Sequence, residues 1–252
     1  MSIVRFRIGE RVFAPSWSMT VLTAALCVLF VHLGRWQWDK GLWRQAEWDA
    51  FARGADRALA LGARDPAALP RFQRIELTGV FDVTHQFLLD NRTHAGQAGY
   101  EVLTALVLAD GRELLVDRGW VPFNGYRSHL PDVSLHAPGP LTITGRIDDL
   151  PAPGLAFGRM PPAAGAHWPK VTSYPDMGQL ATALGHALPA RIVLLDPSAP
   201  FGYVRDWQPP GLSPARHLSY AVQWWGFAVT LIIIWAVLSA PKIPRAAPRE
   251  AH

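Results

Sequence analysis

The chain has 252 residues, half of them apolar and 17% charged, with a mean hydropathy of +0.09. That balance excludes a disordered chain, a collagen and a disulfide-rich miniature protein. The formal charge of +4 rests on 21 Arg and 3 Lys scattered without a basic run, so no nucleic-acid surface is expected.

The excess apolar residues sit in two blocks. The first runs from Trp17 to Gly34, 18 residues without Asp, Glu, Lys or Arg. At about 1.5 Å per residue it spans most of a ~30 Å hydrocarbon core. It is long for the apolar region of a cleaved signal peptide, and Arg35-Trp36-Gln37-Trp38-Asp39-Lys40 follows it where a small-residue cleavage site would stand. A retained membrane span is the better reading. The single cysteine, Cys27, lies inside this block, so no internal disulfide and no cysteine metal cluster is available. The four methionines (Met1, Met19, Met160, Met177) are scattered and offer no soft-sulfur copper site. A central region without cysteine fits an oxidising compartment.

Residues 36–52 continue as a helix, with Trp36, Lys40, Trp43 and Glu47 at helical spacing. Gly54 to Pro70 is rich in Ala, Gly and Pro and reads as a loop with one helical turn. From Phe72 the period changes to two: Ile75, Leu77 and Phe81 share one face, with Arg74, Glu76 and Thr78 on the other. Phe87 to Asp90 reads as a separate short strand. Tyr100 to Leu108 and Glu113 to Arg118 flank Ala109-Asp110-Gly111-Arg112, a hairpin signal. Leu141 to Ile147, Val171 to Tyr174 and Ile192 to Leu195 are further strands, and Asp176 caps a short helix running to His186. Residues 150–169 are rich in Pro and Gly and irregular.

The second apolar block, Leu218 to Ala240, has 23 residues without a formal charge and is stopped by Pro241. Trp36, Trp38, Tyr220, Trp224 and Trp225 gather at one end of the two blocks, as interfacial aromatics do. Small residues suggest a packing face: Thr20, Ala24 and Cys27 on the first block, Gly226 and Thr230 on the second. Arg5, Arg7, Arg11, Lys242, Arg245 and Arg249 in the tails slightly outnumber Arg35, Lys40, Arg44, Arg205 and Arg216 next to the blocks on the central side. The expected architecture is therefore a membrane α+β protein. A cytoplasmic tail (1–16) leads into a transmembrane helix (17–34). A β-rich, antiparallel, barrel-like extracytoplasmic domain (35–217) follows, then a second transmembrane helix (218–240) and a cytoplasmic tail (241–252).

Enzyme signatures are missing: there is no GxGxxG, P-loop, HExxH or GxSxG. Ser128-His129 has no orienting carboxylate in sequence. Asp148-Asp149 reads as a solvated turn, and His85, His94, His129 and His136 as surface or loop histidines. Two histidines differ by location. His217 stands at the threshold of the second block and His32 near the end of the first. An imidazole at an oil–water boundary can supply a lone pair to haem iron or can simply sit among headgroups. On a helix His217, Tyr220, Ala221, Trp224 and Ala228 share a face; Ala221 leaves room for a flat macrocycle, and Arg216 or Arg118 offers charge for propionates.

Four segments together resemble a known family: LGRWQWDKGLWRQA (Leu33 to Ala46), RFQRIELTGVF (Arg71 to Phe81), VDRGWVP (Val116 to Pro122) and HLSYAVQWWGFA (His217 to Ala228). They resemble the surfeit locus protein 1 family, membrane factors that assist assembly of haem-copper cytochrome c oxidase. The resemblance implies a non-enzymatic assembly role in a bacterial inner membrane, aiding insertion or stabilisation of haem a in oxidase subunit I. Its implied partners are that subunit, haem a synthase and the lipid bilayer. Its implied haem ligand is His217; Tyr220, Trp224 and Arg118 are the further cofactor contacts expected from the helix face and from charge. A scaffold for subunit I that never touches haem is the alternative. Arg118, Gly119 and Trp120 match the family's central motif, and a structural role for them competes with ligand contact.

Overall fold

A computed structural model describes residues 6–8, 11–54, 57–137, 139–152, 159–165 and 167–241. It divides into two compact units, one made of Met1–Glu47 with Gly211–His252, the other of Trp48–Pro210. The basic tail residues Arg5, Lys242, Arg245 and Arg249 and part of the Pro/Gly-rich 150–169 segment lie outside the described residues.

The first unit is built on two long helices. Helix α1 covers Trp17–Arg53 without a break, so the helical pattern expected at 36–52 is one continuous rod with the first apolar block. The C-terminal helix spans Pro214–Leu238, starting four residues before the apolar block because Pro214 suits the first helical turn. Both are long and apolar enough to cross a membrane. Their apolar side chains are largely uncovered, with Val28 at 71% and Val222 at 62% exposure. Exposed apolar faces of this extent mark a surface for lipid or for a protein partner. Ahead of α1, β1 (Phe6–Ile8) and β2 (Arg11–Phe13) form an antiparallel hairpin. The Val12 and Ala14 amides donate to the Pro241 and Ser239 carbonyls, and the Arg11 Nη1 donates to the Ala240 carbonyl. Carbonyls at the end of the second long helix are thereby satisfied.

The second unit holds β3 (Leu59–Ala60), β4 (Arg74–His94), β5 (Gln97–Leu108), β6 (Glu113–Pro122), β7 (Leu141–Asp148), β8 (Lys170–Thr172), helix α2 (Met177–Leu184) and β9 (Ile192–Leu195). The seven strands form one sheet in the order β3-β4-β5-β6-β9-β7, with β8 on β4 and β7 pairing back to β4. The 21-residue β4 makes this possible, because Arg74–Gly79 pair with β7 and the stretch from Gly79 to His94 pairs with β5 across two register shifts. The two strands expected at Phe72–Phe81 and Phe87–Asp90 are one. Between them the register shifts at Phe81/Gln86, where the Asp82 Oδ1 accepts the amides of Thr84 and His85. A bulge of this kind mimics a turn in sequence yet lets the strand continue. Pairing is mixed: β3–β4, β4–β8 and β6–β9 are parallel, the others antiparallel.

Hydrophobic alternation explains where the core lies. Ile75, Leu77 and Phe81 are all buried, as their shared face requires. Strands β6 and β9 are buried on both faces. Leu114, Val116, Val193 and Leu195 enter one cluster; Leu115, Ile192 and Leu194 enter another, covered by Leu180 of α2. Helix α2 begins with a capping box in which the Asp176 and Gln179 side chains each accept the other's amide. It ends at Gly185, whose φ of +82° is the left-handed conformation favoured by glycine. Asp148 departs from the solvated-turn reading: it is 8% exposed and 2.5 Å from the Arg71 guanidinium.

Candidate functional site at the threshold of the helix pair

We number the C-terminal helix (Pro214–Leu238) α3. It runs antiparallel to α1, as a ladder of contacts shows. Trp235 Nε1 donates to Thr20 Oγ1 at 3.1 Å, Cys27 Sγ lies 3.7 Å from the Ala228 carbonyl, and His217 Nδ1 lies 2.8 Å from Gln37 Oε1. Of the expected stripe, Thr20 and Cys27 thus face the partner helix, while Ala24 is exposed. On α3 the small residues at the contact are Ala221 and Ala228, both buried. Gly226 and Thr230, which the sequence suggested, are exposed instead, because the helix turns them outward.

The polar end of this ladder is set by one helical stripe on α1: Gly34, Gln37, Trp38 and Gly41, at i, i+3, i+4 and i+7. Gly34 and Gly41 are the only buried residues among those described in α1. A methyl group at Gly34 would collide with the Trp225 indole, and one at Gly41 would come within 2.9 Å of the Leu218 side chain and 3.4 Å of His217 Cβ. Glycine inside a helix costs about 1 kcal/mol relative to alanine, a cost offset here by close approach. The Trp38 and Trp225 rings meet at 5.8 Å in the space so created. Farther along, Phe30, Trp224 and Phe227 form an aromatic group with centroids 5.7 to 6.1 Å apart.

His217 lies in the first turns of α3, half-buried. In the tautomer that carries its proton on Nδ1, the His217 ring donates to the Gln37 amide oxygen and keeps the Nε2 lone pair free. Histidines that bind metals are oriented in this way, with the second ring nitrogen donating to an oxygen. Tyr220 is 40% exposed, Trp224 half-buried and Ala221 fully buried on the side facing α1. Arg216 is exposed beside His217, and His32 is exposed on α1. The arrangement can offer one imidazole lone pair, aromatic surface and a guanidinium at an apolar–polar boundary. Among the described residues no group of three or more His, Cys, Asp or Glu is placed to hold a bare metal ion.

Arg118 has a different setting, inside the sheet unit. It is 2% exposed, its Nε donates to the Phe201 carbonyl at 2.7 Å, and its guanidinium stacks 4.9 Å from the Tyr203 ring. Longer contacts from Nη1 reach Thr104 Oγ1 and the Val133 carbonyl. Burial pulls its pKa below the ordinary arginine value. The neighbouring Gly119 adopts φ +111°, and a side chain there would strike the Val204 carbonyl. Trp120 is 9% exposed and exchanges backbone hydrogen bonds with Val204. The Arg-Gly-Trp motif therefore knits β6 to residues 201–204.

A family model described as the SURF1 family matches residues 24–229. The chain belongs to the SURF1 family. The match takes in the Gly34–Gly41 stripe, Arg118 and His217. The chain is similar to an uncharacterized SURF1-like protein of Mycobacterium bovis and two of Mycobacterium tuberculosis. Each is 29% identical over 224 residues, covering 85% of this chain and 80% of the relative. SURF1 proteins are known in general as membrane-associated oxidase assembly factors, a class distinct from enzymes.

Gln37, Gly34 and Gly41 were missed by reading residues singly. The spacing of Gly34, Gln37, Trp38 and Gly41 in LGRWQWDKG was the available signal, a polar residue held between two glycines on one helix face.

Proposed function

We propose that this protein assists cytochrome c oxidase assembly by holding haem a in transit to oxidase subunit I, with the His217 Nε2 as its iron contact. The observation that carries this reading is the 2.8 Å contact between His217 Nδ1 and Gln37 Oε1, which presents a single, oriented lone pair at the end of two apolar helices. The residues fit the cargo's chemistry. Haem a brings an iron that accepts an axial imidazole, a flat apolar ring and two propionates. Tyr220 and Trp224 supply aromatic surface beside His217, and Arg216 supplies charge at the water boundary. Arg118 serves indirectly, by fixing the sheet unit around residues 201–204. A single neutral imidazole suits custody followed by release.

In this reading both helices cross a bacterial inner membrane, the termini lie in the cytoplasm and the sheet unit lies outside. Haem a synthase is the donor and subunit I the recipient. The test is the visible spectrum of full-length protein purified in detergent from a host that makes haem a. Haem occupancy in the native chain and its loss in His217→Ala support the reading; equal occupancy in both overturns it.

A second reading has one observation in its favour. The Gln37–His217 bond also ties two helices together, so a scaffold for subunit I that never meets haem would use it as well. Blocking haem a synthesis separates the two: a scaffold still co-purifies with subunit I at full yield, whereas a haem carrier loses most of that association.

A further inference from the structure

Within the sheet unit a cleft of 600 Å³ lies between helix α2 and the turn at Pro161–Gly165. The turn supplies an apolar wall, Pro161 to Ala164, and the helix supplies Gly178 and Gln179. Asp176 and Lys170 of β8 also line it.

Lys170 is the unusual member. It is only 7% exposed, and a lysine this buried is ordinarily paired. Among the described residues it forms no ion pair and donates no hydrogen bond; its Nζ rests over the Trp168 ring, 4.6 Å from the centroid. The burial follows from register. Strand β8 pairs parallel with β4, with Lys170 opposite Phe87, and the Phe87 and Trp168 rings meet 5.1 Å apart. An indole face attracts the cation but accepts no conventional hydrogen bond, so the three ammonium donors go unused. The sealed side-chain nitrogens without a partner among the described residues belong to Trp48, Arg92 and Trp120. The Lys170 Nζ is not one of them, so it keeps accessible surface in a residue that lines the cleft.

Helix α2 adds positive character at the same place. Gly178 lies in its first turn, where amides have no partner within the helix and the helix dipole is positive. The Gln179 Oε1 accepts the Asp176 amide at 3.1 Å, which leaves the Gln179 Nε2 hydrogens unused among the described residues. One carboxylate works against an anion here. Asp176 caps the helix by accepting the Gln179 amide at 2.8 Å, but it is exposed, so water and salt screen its charge. The buried charge of Lys170 has no such screening.

We infer that this cleft binds a carboxylate on a short apolar stem, with the carboxylate between Lys170 and the first turn of α2 and the stem along Pro161–Ala164. A single unpaired cation beside the Asp176 carboxylate suits a monoanion better than a phosphate dianion, which Asp176 would repel about twice as strongly. The volume falls within the range of about 300–1,000 Å³ usual for small-ligand sites. A free carboxylic acid and a carboxylate of a partner protein share this chemistry. The site draws on the sheet unit alone and is independent of haem and of His217.

The experiment uses the full chain in detergent and four probes: butyrate, its neutral isostere butyramide, inorganic phosphate, and acetyl-Ala-Pro-Ala with a free C-terminus. Butyrate, butyramide and the peptide are followed by saturation-transfer NMR, and phosphate by its displacement of butyrate. The expected result is saturable binding of butyrate, at least tenfold weaker binding of butyramide, weaker binding of phosphate, and at least tenfold loss in Lys170→Met. Methionine keeps an unbranched stem and removes an unpaired buried charge, so this variant should fold; butyrate against butyramide in the native chain tests the proposal without any variant. Tighter binding of the peptide assigns the site to a protein carboxylate, and equal or weaker binding assigns it to a free acid. Absence of saturable binding by both carboxylate probes, butyramide binding as tight as butyrate, phosphate binding tighter than butyrate, or unchanged affinity in Lys170→Met would overturn the inference.

Discussion

His217 Nδ1 and Gln37 Oε1 lie 2.8 Å apart across the two long helices, joining residues 180 positions apart in sequence. The bond places a polar contact next to the glycine-lined crossing of α1 and α3, where the Gly34, Gln37, Trp38 and Gly41 stripe meets Leu218, Ala221 and Trp225. Each member depends on the others. The glycines set the distance, and the distance lets glutamine reach histidine.

Gln37 is accordingly a positioning residue for the proposed iron contact. Replacing Gln37 by Leu removes the acceptor of the Nδ1 proton. Outer partners of metal-bound histidines typically contribute about 10–100-fold in affinity. Haem occupancy in Gln37→Leu should fall by that order, while Gln37→Glu, which keeps an acceptor, retains most of it. A spectrophotometric haem titration of the purified chains is the check; identical titrations for all three would remove Gln37 from the site.

The crossing itself can be tested without haem. Gly34→Val drives a side chain into the Trp225 indole, and overpacking of this kind costs about 1–3 kcal/mol. Gly226 has open space where a Cβ would stand, so Gly226→Ala should be neutral or stabilising by up to about 1 kcal/mol. Near-UV circular dichroism melts in one detergent should show a lower midpoint for the first variant and an unchanged or higher one for the second. The reverse order would mean that the helices do not meet at Gly34.

Arg118 separates a structural role from ligand contact. Arg118→Ala leaves the Phe201 carbonyl without its donor and removes the stack on Tyr203, at a cost of about 2–4 kcal/mol. Arg118→Lys should lose nearly as much, since an ammonium cannot reproduce the guanidinium fork. Urea unfolding of the full chain measures it. An Arg118→Ala protein of undiminished stability that has lost haem would instead make this residue a ligand contact.

Much of the sheet unit was legible because its signals are local. Alternation at Ile75, Leu77 and Phe81, the Asp110-Gly111 hairpin and the cap at Asp176 each report on the backbone within a few residues. Less was legible where distant segments decide. The bulge at Asp82–His85 has the composition of a turn, so one strand read as two. The parallel pairing of β6 with β9 joins residues 77 apart, Leu115 with Ile192 for example, and leaves no local trace. Asp148 read as solvated because its partner, Arg71, is 77 positions away. At the helix pair, His217 announced itself by standing at an apolar edge. Gln37 did not, since a lone polar residue on a helix usually faces water.

The Asp117 carboxyl, which burial and the Glu101 charge push well above the usual carboxylate range, also sets a pH dependence of stability. A carboxyl whose folded pKa lies above its unfolded value binds its proton more tightly in the folded state. The stability such a group contributes is therefore fully present below the unfolded value near 3.8 and is lost as pH rises through the folded value. Within that window each such group removes up to about 1.4 kcal/mol per pH unit. Asp117→Asn should flatten this fall and be more stable than the native chain at neutral pH. Urea midpoints from pH 4 to pH 8 provide the measurement; parallel curves for the two chains would show that Asp117 does not carry the effect.

The most direct test of haem custody is chemical rescue at the iron contact. Full-length His217→Gly, purified from a host that makes haem a, should lack the absorption bands of the native complex and regain them when imidazole is added, because free imidazole can fill the place of the missing ring. A His217→Gly chain that keeps the native spectrum and occupancy without imidazole would contradict ligation by His217.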